Sequence, residues 1–179
     1  MPDLARIANR RGEIALTHVK YIDRTREYYL SQGYDKPYRW AHFDETPFTP
    51  LKKPLSESRV TLVSTSEIAV RSWDDQRTPL EKGEAANVYN VAADTPVEDL
   101  YSQTYDFDKH ATSLDDVNTY FPVTRMHEAA EAGRIGAVAP TLYGVYNAYS
   151  QRKTREIDAP EVLRRCRDED VDLAILTPV

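Results

Sequence analysis

The sequence is poor in the residues from which redox and metal sites are commonly built. Its 179 residues include a single cysteine, Cys166. One thiol excludes an internal disulfide and a cysteine-rich metal site, so any dithiol chemistry must take its second thiol from another source. Glycine is also scarce, with six residues. The chain contains neither a glycine-rich phosphate loop nor a nucleophile elbow.

An excess of basic charge and long apolar runs are lacking as well. The 29 acidic and 23 basic side chains give a net charge of -6, which argues against a nucleic-acid or anionic membrane partner. No apolar run approaches the roughly 20 residues that cross a bilayer, and the first residues lack the apolar core of a signal peptide. We therefore expect a cytoplasmic protein with one domain and an N-terminal arm.

The first 58 residues are expected to form this arm. Residues 13–32 have helical apolar spacing, and Gly33 is placed to end the helix. Residues 34–58 contain four prolines among several aromatic side chains, which break regular elements but need a surface to cover them. The pattern indicates an extended aromatic and proline-rich arm that wraps either its own domain or a partner.

Residues 59–179 alternate between strand and helix patterns. Strands are predicted at residues 59–65, 87–91 and 171–177, a helical turn at 95–100, and helices at 122–132 and 157–169, while 101–118 and the tyrosine-rich 140–150 are predicted as loops. The first and last strands are apolar throughout, as parallel strands covered on both faces are. The sequence therefore predicts an α/β domain with three layers and a mainly parallel sheet.

Two sets of polar residues could carry chemistry at or near strand ends. Ser64, Thr65 and Ser66 follow the first strand, where hydroxyls and free amides suit a carboxylate or phosphate, although an ordinary turn has the same composition. Asp106, Asp108 and His110 alternate, so one side of an extended segment could hold a metal ion or perform acid/base work. The alternative is a solvated acidic loop.

Two further groups have structural alternatives. Asp116 and Asn118 precede a helix and are also typical turn and cap residues. Cys166 shares an apolar helical face with Ala159, Val162 and Leu163. Because reactive thiolates need an electropositive and partly exposed setting, this face predicts a buried core thiol rather than a nucleophile.

A longer pattern runs through residues 116–136. It contains Asp116, Asn118, the pair Phe121-Pro122 and Arg125, and its helix closes on Gly133-Arg134-Ile135-Gly136. In this order and spacing the segment resembles the selenoprotein B family of glycine, sarcosine, betaine and D-proline reductases. Residues 53–65 resemble the family's entry into its first strand, and residues 171–179 resemble a later strand.

The resemblance implies where the redox group would come from. In the family a selenocysteine or cysteine follows directly after the strand that matches residues 176–179, and the given sequence ends there. The chain therefore resembles the N-terminal half of the family without its redox half. No cofactor is expected on this chain alone, and a redox thiol or selenol is expected from a separate subunit.

The resemblance also suggests roles for individual residues. Asp116, as a catalytic group, and Asn118 and Arg125, as substrate ligands, rest on the motif match. Asp108 and His110, as candidate general acids, rest on chemistry alone, and residues 64–66 are added as substrate ligands because of their place at the strand end. The main hypothesis is thus one subunit of an oxidoreductase complex that performs reductive cleavage of a small substrate.

Two other hypotheses remain open at this point. The chain could be a non-catalytic interaction subunit that kept the fold and its pairing surface. It could also be a metal-dependent enzyme that uses Asp106, Asp108 and His110. We expect a hetero- or homo-oligomer, because a free sheet edge and exposed apolar surface are generally covered in soluble proteins.

Overall fold

The computed structural model describes residues 20–36, 41–72, 85–105, 107, 109, 110 and 112–179. Its contacts divide the chain into two units, Met1–Thr46 and Pro47–Val179. No helix within the described ranges is long and apolar enough to cross a membrane.

The first unit contains one described helix, α1 (Tyr21–Ser31). The predicted helix began at residue 13, and its first part lies outside the described residues. Gly33 ends the helix as predicted, with a φ of +85° that favours glycine. No side chain of α1 is buried, and Tyr29 makes edge-to-face contacts with Tyr28 and Tyr34. The helix therefore presents an aromatic surface.

The part of the arm that joins the two units is irregular. Residues 41–54 contain no helix or strand, and a single 3-10 turn follows at Leu55–Glu57. Phe43 and Phe48 are largely exposed. The extended, proline-rich character of this segment agrees with the sequence, and the surface that it was predicted to wrap stays a prediction.

The second unit contains a mainly parallel sheet. Its strands are β1 (Arg59–Ser64), β3 (Val88–Ala92), β5 (Ala137–Val138), β6 (Thr141–Val145) and β7 (Leu173–Thr177). Strand β1 pairs in parallel with β5 and β6 along one edge and with β7 along the other. Strand β3 pairs antiparallel with β6. The predicted parallel arrangement of residues 59–65 and 171–177 is confirmed.

Helices cover the two faces of this sheet. Val60 and Leu62 of β1 pack in a core with α2 (Val123–Glu131), whereas Val63 packs on the opposite face with Cys166 of α4 (Ala159–Asp168). Alternate residues of a strand point to opposite faces, so one strand supplies both cores. The α/β class and its three layers are confirmed.

Four of the described strands, β5 among them, lie outside the residues that were predicted as strands. The short strands β2 (Ile68–Val70) and β4 (Leu100–Ser102) form a separate antiparallel pair. The prediction of a loop at residues 140–150 was wrong, because β6 lies there. Gly144 weakened the strand pattern, because glycine is depleted in strands. Glycine is needed here, since a Cβ at this position would lie only 1.9 Å from the Tyr89 ring.

The last helix begins earlier than predicted. Residues Gln151–Lys153 form a short helix, α3, and Thr154–Asp158 form a π-helical turn that continues into α4. The final strand is also less buried than its composition suggested. Ile175 is 38% exposed and Leu176 is 69% exposed, because β7 lies at the edge of the sheet among the described residues. The expectation that β7 is covered on both faces was wrong.

An ion pair fixes the start of β7 against β1, and it gives a testable dependence on pH. Asp172 Oδ2 accepts hydrogen bonds from Lys53 Nζ at 2.8 Å and from the Arg59 backbone N–H at 2.7 Å. The hydrogen bond from Lys53 contributes most to lowering the pKa of the Asp172 carboxyl, and the hydrogen bond from the Arg59 backbone contributes next. A carboxyl whose pKa is lowered in the folded state stabilises the fold above its unfolded pKa, and this contribution is lost as pH falls through the folded pKa.

We therefore expect Asp172→Asn to lower the free energy of unfolding at pH 7, and we expect this loss to shrink as the pH falls and the carboxyl of the wild type becomes protonated in both states. Urea denaturation at pH 7 and at a series of acidic pH values measures the difference. Asp94→Asn is the matched control, because Asp94 is an exposed carboxylate away from β7. A loss for Asp172→Asn that stays constant across this acidic series would show that the lowered pKa does not contribute.

Candidate functional site

Hydroxyl groups join the carboxyl ends of β1 and β7. Ser64 Oγ lies 2.8 Å from Ser66 Oγ and 3.2 Å from the carbonyl oxygen of Thr177. Thr65 Oγ1 accepts a hydrogen bond from the Val179 backbone N–H at 3.0 Å. These contacts hold the two parallel strand ends together at the edge where α/β proteins place their ligands.

The three predicted hydroxyl ligands differ in access. Ser64 and Ser66 are at most 1% exposed, and their hydroxyls make contacts with each other inside the protein. Thr65 is half-buried and borders the apolar groove described below. The substrate role of all three stays a prediction, and Thr65 is the one whose position suits it best.

The segment 116–121 lies against the end of β1. The carbonyl oxygen of Tyr120 lies 3.1 Å from Ser64 Oγ. Asp116 Oδ1 accepts the Asn118 backbone N–H at 3.0 Å, and Asn118 Oδ1 accepts the Thr124 N–H at 3.1 Å. The alternative in which Asp116 and Asn118 act as turn and cap residues is therefore confirmed, and their predicted roles toward a substrate stay predictions.

Of the two polar groups in the Asn118 side-chain amide, the oxygen accepts a hydrogen bond and the nitrogen donates none within the described residues. Its Oδ1 caps the first turn of α2, while its Nδ2 makes no hydrogen bond within the described part of the chain. Its side chain is half-buried. An amide held by its oxygen presents its N–H2 group in a fixed orientation, which suits recognition of a carboxylate or carbonyl oxygen.

The remaining predicted residues lie on the surface or beyond the description. Arg125 Nη1 forms a 2.9 Å ion pair with Glu128 Oε2 on the exposed face of α2. His110 is exposed, and Asp106 and Asp108 lie outside the described residues. Within the described ranges, no group of three or more histidine, cysteine or acidic residues could hold a metal ion. The metal hypothesis rests mainly on the two undescribed aspartates.

An apolar groove of about 530 Å³ lies between α4 and the ends of β1 and β7. Apolar side chains supply most of its walls: Val63, Val162, Leu163, Cys166, Ala174 and Leu176. Thr65, Thr177 and Pro178 border it at the strand ends. The groove therefore connects the hydroxyl cluster with the exposed edge of the sheet.

Cys166 is buried in this wall, as the sequence predicted. Cys166 is 7% exposed. Burial raises the pKa of its thiol, and the nearby Glu169 carboxylate raises it further. A thiol in this setting stays protonated at neutral pH, and the protonated form is a poor nucleophile.

A buried polar cluster, which no sequence pattern indicated, lies beside the groove. Lys153 is 5% exposed and Asp158 is 2% exposed. Lys153 Nζ donates to Asn87 Oδ1 at 3.2 Å, and the Asn87 backbone N–H donates to Asp158 Oδ1 at 2.8 Å. Because Asn87 is more than 60 positions away along the chain, no local pattern could have indicated the contact.

Comparison with known proteins connects the chain to a reductase. It is similar to D-proline reductase subunit gamma of Acetoanaerobium sticklandii, with 29% identity over 131 residues. The matched region covers 73% of this chain and 52% of that protein, so the chain spans about half the length of its relative. This similarity supports a distant relationship to the reductase family. No family model and no solved structure matches the chain.

Proposed function

We propose that this chain is the substrate-binding subunit of a selenoprotein B-like reductase and that a separate subunit supplies the reactive cysteine or selenocysteine. The similarity to a reductase subunit supports the reaction class. The observation that carries the division of labour is the state of Cys166. The single thiol of the given sequence is buried and has a raised pKa, which supports a redox group that comes from the partner.

The proposed reaction is a two-electron reductive cleavage. A thiolate or selenolate of the partner attacks the substrate carbon, and the departing group leaves with the bonding electron pair and takes a proton. A second thiol of the partner then attacks the sulfur or selenium, and the carbon takes a proton. The substrate bond is reduced, and the partner's thiol pair is oxidised to a disulfide or selenenyl sulfide.

This chain would bind and protonate the substrate. His110 or Asp108 serves as the general acid for the departing group, and Asp116 assists the proton transfer. The Asn118 amide and Thr65 bind polar atoms of the substrate, while Ser64 and Ser66 hold the strand ends in place. Arg125 would exchange its exposed pairing with Glu128 for a substrate carboxylate.

A second candidate is a non-catalytic interaction subunit. Its support is that Ser64, Ser66 and the Asn118 oxygen are all occupied by structural hydrogen bonds. The two candidates differ in one measurable property, because only the first requires the side chains of this subunit for turnover by the assembled complex.

Turnover by this chain alone and by its complex tests the proposal. The tagged protein is isolated from its source cells with the cysteine- or selenocysteine-containing chain that co-purifies with it, and reduction of D-proline, glycine, sarcosine and betaine by a dithiol is followed. We expect turnover from the complex and none from the separated chain. Cys166→Ser should leave turnover within about twofold but lower stability by about 1–3 kcal/mol, because a hydroxyl replaces a buried thiol.

Two results would contradict the proposal. Reductive turnover by the separated chain would place the redox group within it. Loss of turnover in Cys166→Ser, with the complex still folded and assembled, would make Cys166 the reactive thiol.

A further inference from the structure

A polar cavity lies at the amino ends of β1 and β5. Its volume is about 350 Å³, and its lining includes four charged side chains and one glycine: Lys53, Glu57, Arg59, Asp170 and Gly136. All of these residues belong to the second unit of the chain. Ligand cavities in proteins have volumes of this order, and polar walls suit a polar ligand.

Both signs of charge line this cavity without pairing to each other. The carboxylates of Glu57 and Asp170 form no hydrogen bond or ion pair within the part of the chain that the structure describes. Two cations, Lys53 and Arg59, line the same cavity. A cavity that holds opposite charges apart is complementary to a ligand that carries both signs.

The two cations are held by contacts with the end of α4 and the start of β7. Arg59 is half-buried, and its Nη1 donates to the carbonyl oxygen of Glu169. Lys53 Nζ donates to Asp172 Oδ2 at 2.8 Å. The other guanidinium N–H groups of Arg59 make no hydrogen bond within the described ranges. A guanidinium that is fixed through one nitrogen presents the others to a carboxylate, which it can bind through two parallel hydrogen bonds.

The turn after α4 fixes the backbone of one carboxylate residue. The Asp170 N–H donates to the Arg167 carbonyl oxygen at 3.2 Å, and the Val171 N–H donates to the Cys166 carbonyl oxygen at 2.8 Å. These two bonds form a Schellman motif, in which the turning residue has a positive φ and is usually glycine. Asp170 is that residue and has a φ of +54°. Residues other than glycine in this conformation are strained, and they cluster at functional sites.

Close packing of two backbone segments fixes the other carboxylate residue. A Cβ on Gly136 would lie 2.5 Å from the carbonyl carbon of Glu57, so only glycine allows this approach. The Gly136 N–H also donates to the carbonyl oxygens of Leu55 at 3.1 Å and Ser58 at 3.0 Å, on either side of Glu57. The backbone of Glu57 is therefore held beside the start of β5.

We propose that this cavity binds a small zwitterionic molecule with one ammonium and one carboxylate group, the chemical class of the free amino acids. The Arg59 guanidinium and the Lys53 ammonium bind the carboxylate of the ligand, and the carboxylates of Glu57 and Asp170 bind its ammonium. Ser64 lies at the other end of β1, roughly 16 Å away along an extended strand. The cavity is therefore separate from the candidate functional site, and binding to it requires neither the partner subunit nor the proposed reaction.

Titration of the ¹⁵N-labelled chain by NMR tests which charges the cavity recognises. L-Glutamine is the probe, because its polar side chain suits polar walls. N-acetyl-L-glutamine lacks the ammonium, and L-glutaminamide lacks the carboxylate. We expect L-glutamine to shift the amide signals of Arg59 and Gly136 with a Kd of about 1 mM, and both analogues to bind at least about tenfold more weakly. Absence of shifts at about 50 mM L-glutamine, or equal binding of all three molecules, would overturn the proposal.

Two isosteric variants test the roles of the carboxylates. Glu57→Gln and Asp170→Asn each remove a negative charge and no side-chain contact within the described residues, and asparagine tolerates a positive φ as aspartate does. We expect each variant to bind L-glutamine at least about tenfold more weakly, and the double variant to bind L-glutamine and N-acetyl-L-glutamine alike.

Glu131→Gln is the matched control for these variants. Glu131 is an exposed glutamate at the end of α2 and does not line the cavity. The control should bind L-glutamine as the wild type does. Binding of L-glutamine by the double variant with wild-type affinity would show that Glu57 and Asp170 do not recognise the ammonium, and the proposal would fail.

Discussion

Asn118→Asp is expected to lower reductive turnover by the assembled complex at least about 100-fold without lowering its stability. The substitution keeps an oxygen at the position that accepts the Thr124 N–H, so the cap of α2 is preserved. It replaces the uncommitted N–H2 group by a carboxylate oxygen, which cannot donate a hydrogen bond and repels a substrate carboxylate. Steady-state kinetics and thermal unfolding of the same preparation measure the two effects.

Asn147→Asp is a matched control for this prediction. Asn147 Oδ1 accepts the Tyr149 backbone N–H at 2.8 Å, so the same substitution alters a similar side-chain-to-backbone contact in an exposed turn. The control should retain turnover. His110→Gln and Asp116→Asn should lower turnover in the same way while the complex stays assembled. Unchanged turnover in all three variants would move the chemistry away from residues 110–118 and favour the non-catalytic interaction subunit.

The fold could be predicted from the sequence where local pattern and tertiary environment agree. The apolar run of β1 is buried on both faces, and Gly33 and Gly133 end their helices with positive φ angles. Each of these features follows from neighbouring residues. The same reasoning failed for β6, because the choice of Gly144 depends on the ring of Tyr89 in another strand.

Burial of β7 could not be predicted for a related reason. Its apolar composition matches that of β1, yet Leu176 is 69% exposed. The composition of a strand reflects its environment in the functional protein. The exposed fraction of its side chains in a single chain depends only on the residues that are present.

The candidate site was predicted in part. The sequence placed Ser64 and Asn118 in separate motifs, and the structure brings their segments together through the Tyr120 carbonyl oxygen. It also shows that Asp116 and Asn118 have the structural roles that the turn and cap alternative predicted. The cluster of Asn87, Lys153 and Asp158 was missed altogether, because charged residues on a helix ordinarily face solvent.

The largest expected effect on stability comes from this cluster. Asp158→Ala should lower the free energy of unfolding by about 3 kcal/mol. It removes the acceptor of the buried Asn87 N–H and takes a negative charge from the neighbourhood of the buried Lys153 ammonium. The unsatisfied N–H alone accounts for about 1–3 kcal/mol. Urea denaturation followed by circular dichroism measures the loss.

Two comparisons separate the buried contact from a general effect of losing a carboxylate. Asp168→Ala removes an exposed aspartate of α4 that pairs with Arg164, and it should cost less than about 1 kcal/mol. The double variant Asp158→Ala/Lys153→Met removes the buried ammonium together with the carboxylate, so its loss should be smaller than the sum of the two single losses. If Asp158→Ala costs no more than Asp168→Ala, the cluster does not stabilise the fold, and the π-helical turn of residues 154–158 would be held by its apolar neighbours in the groove wall instead.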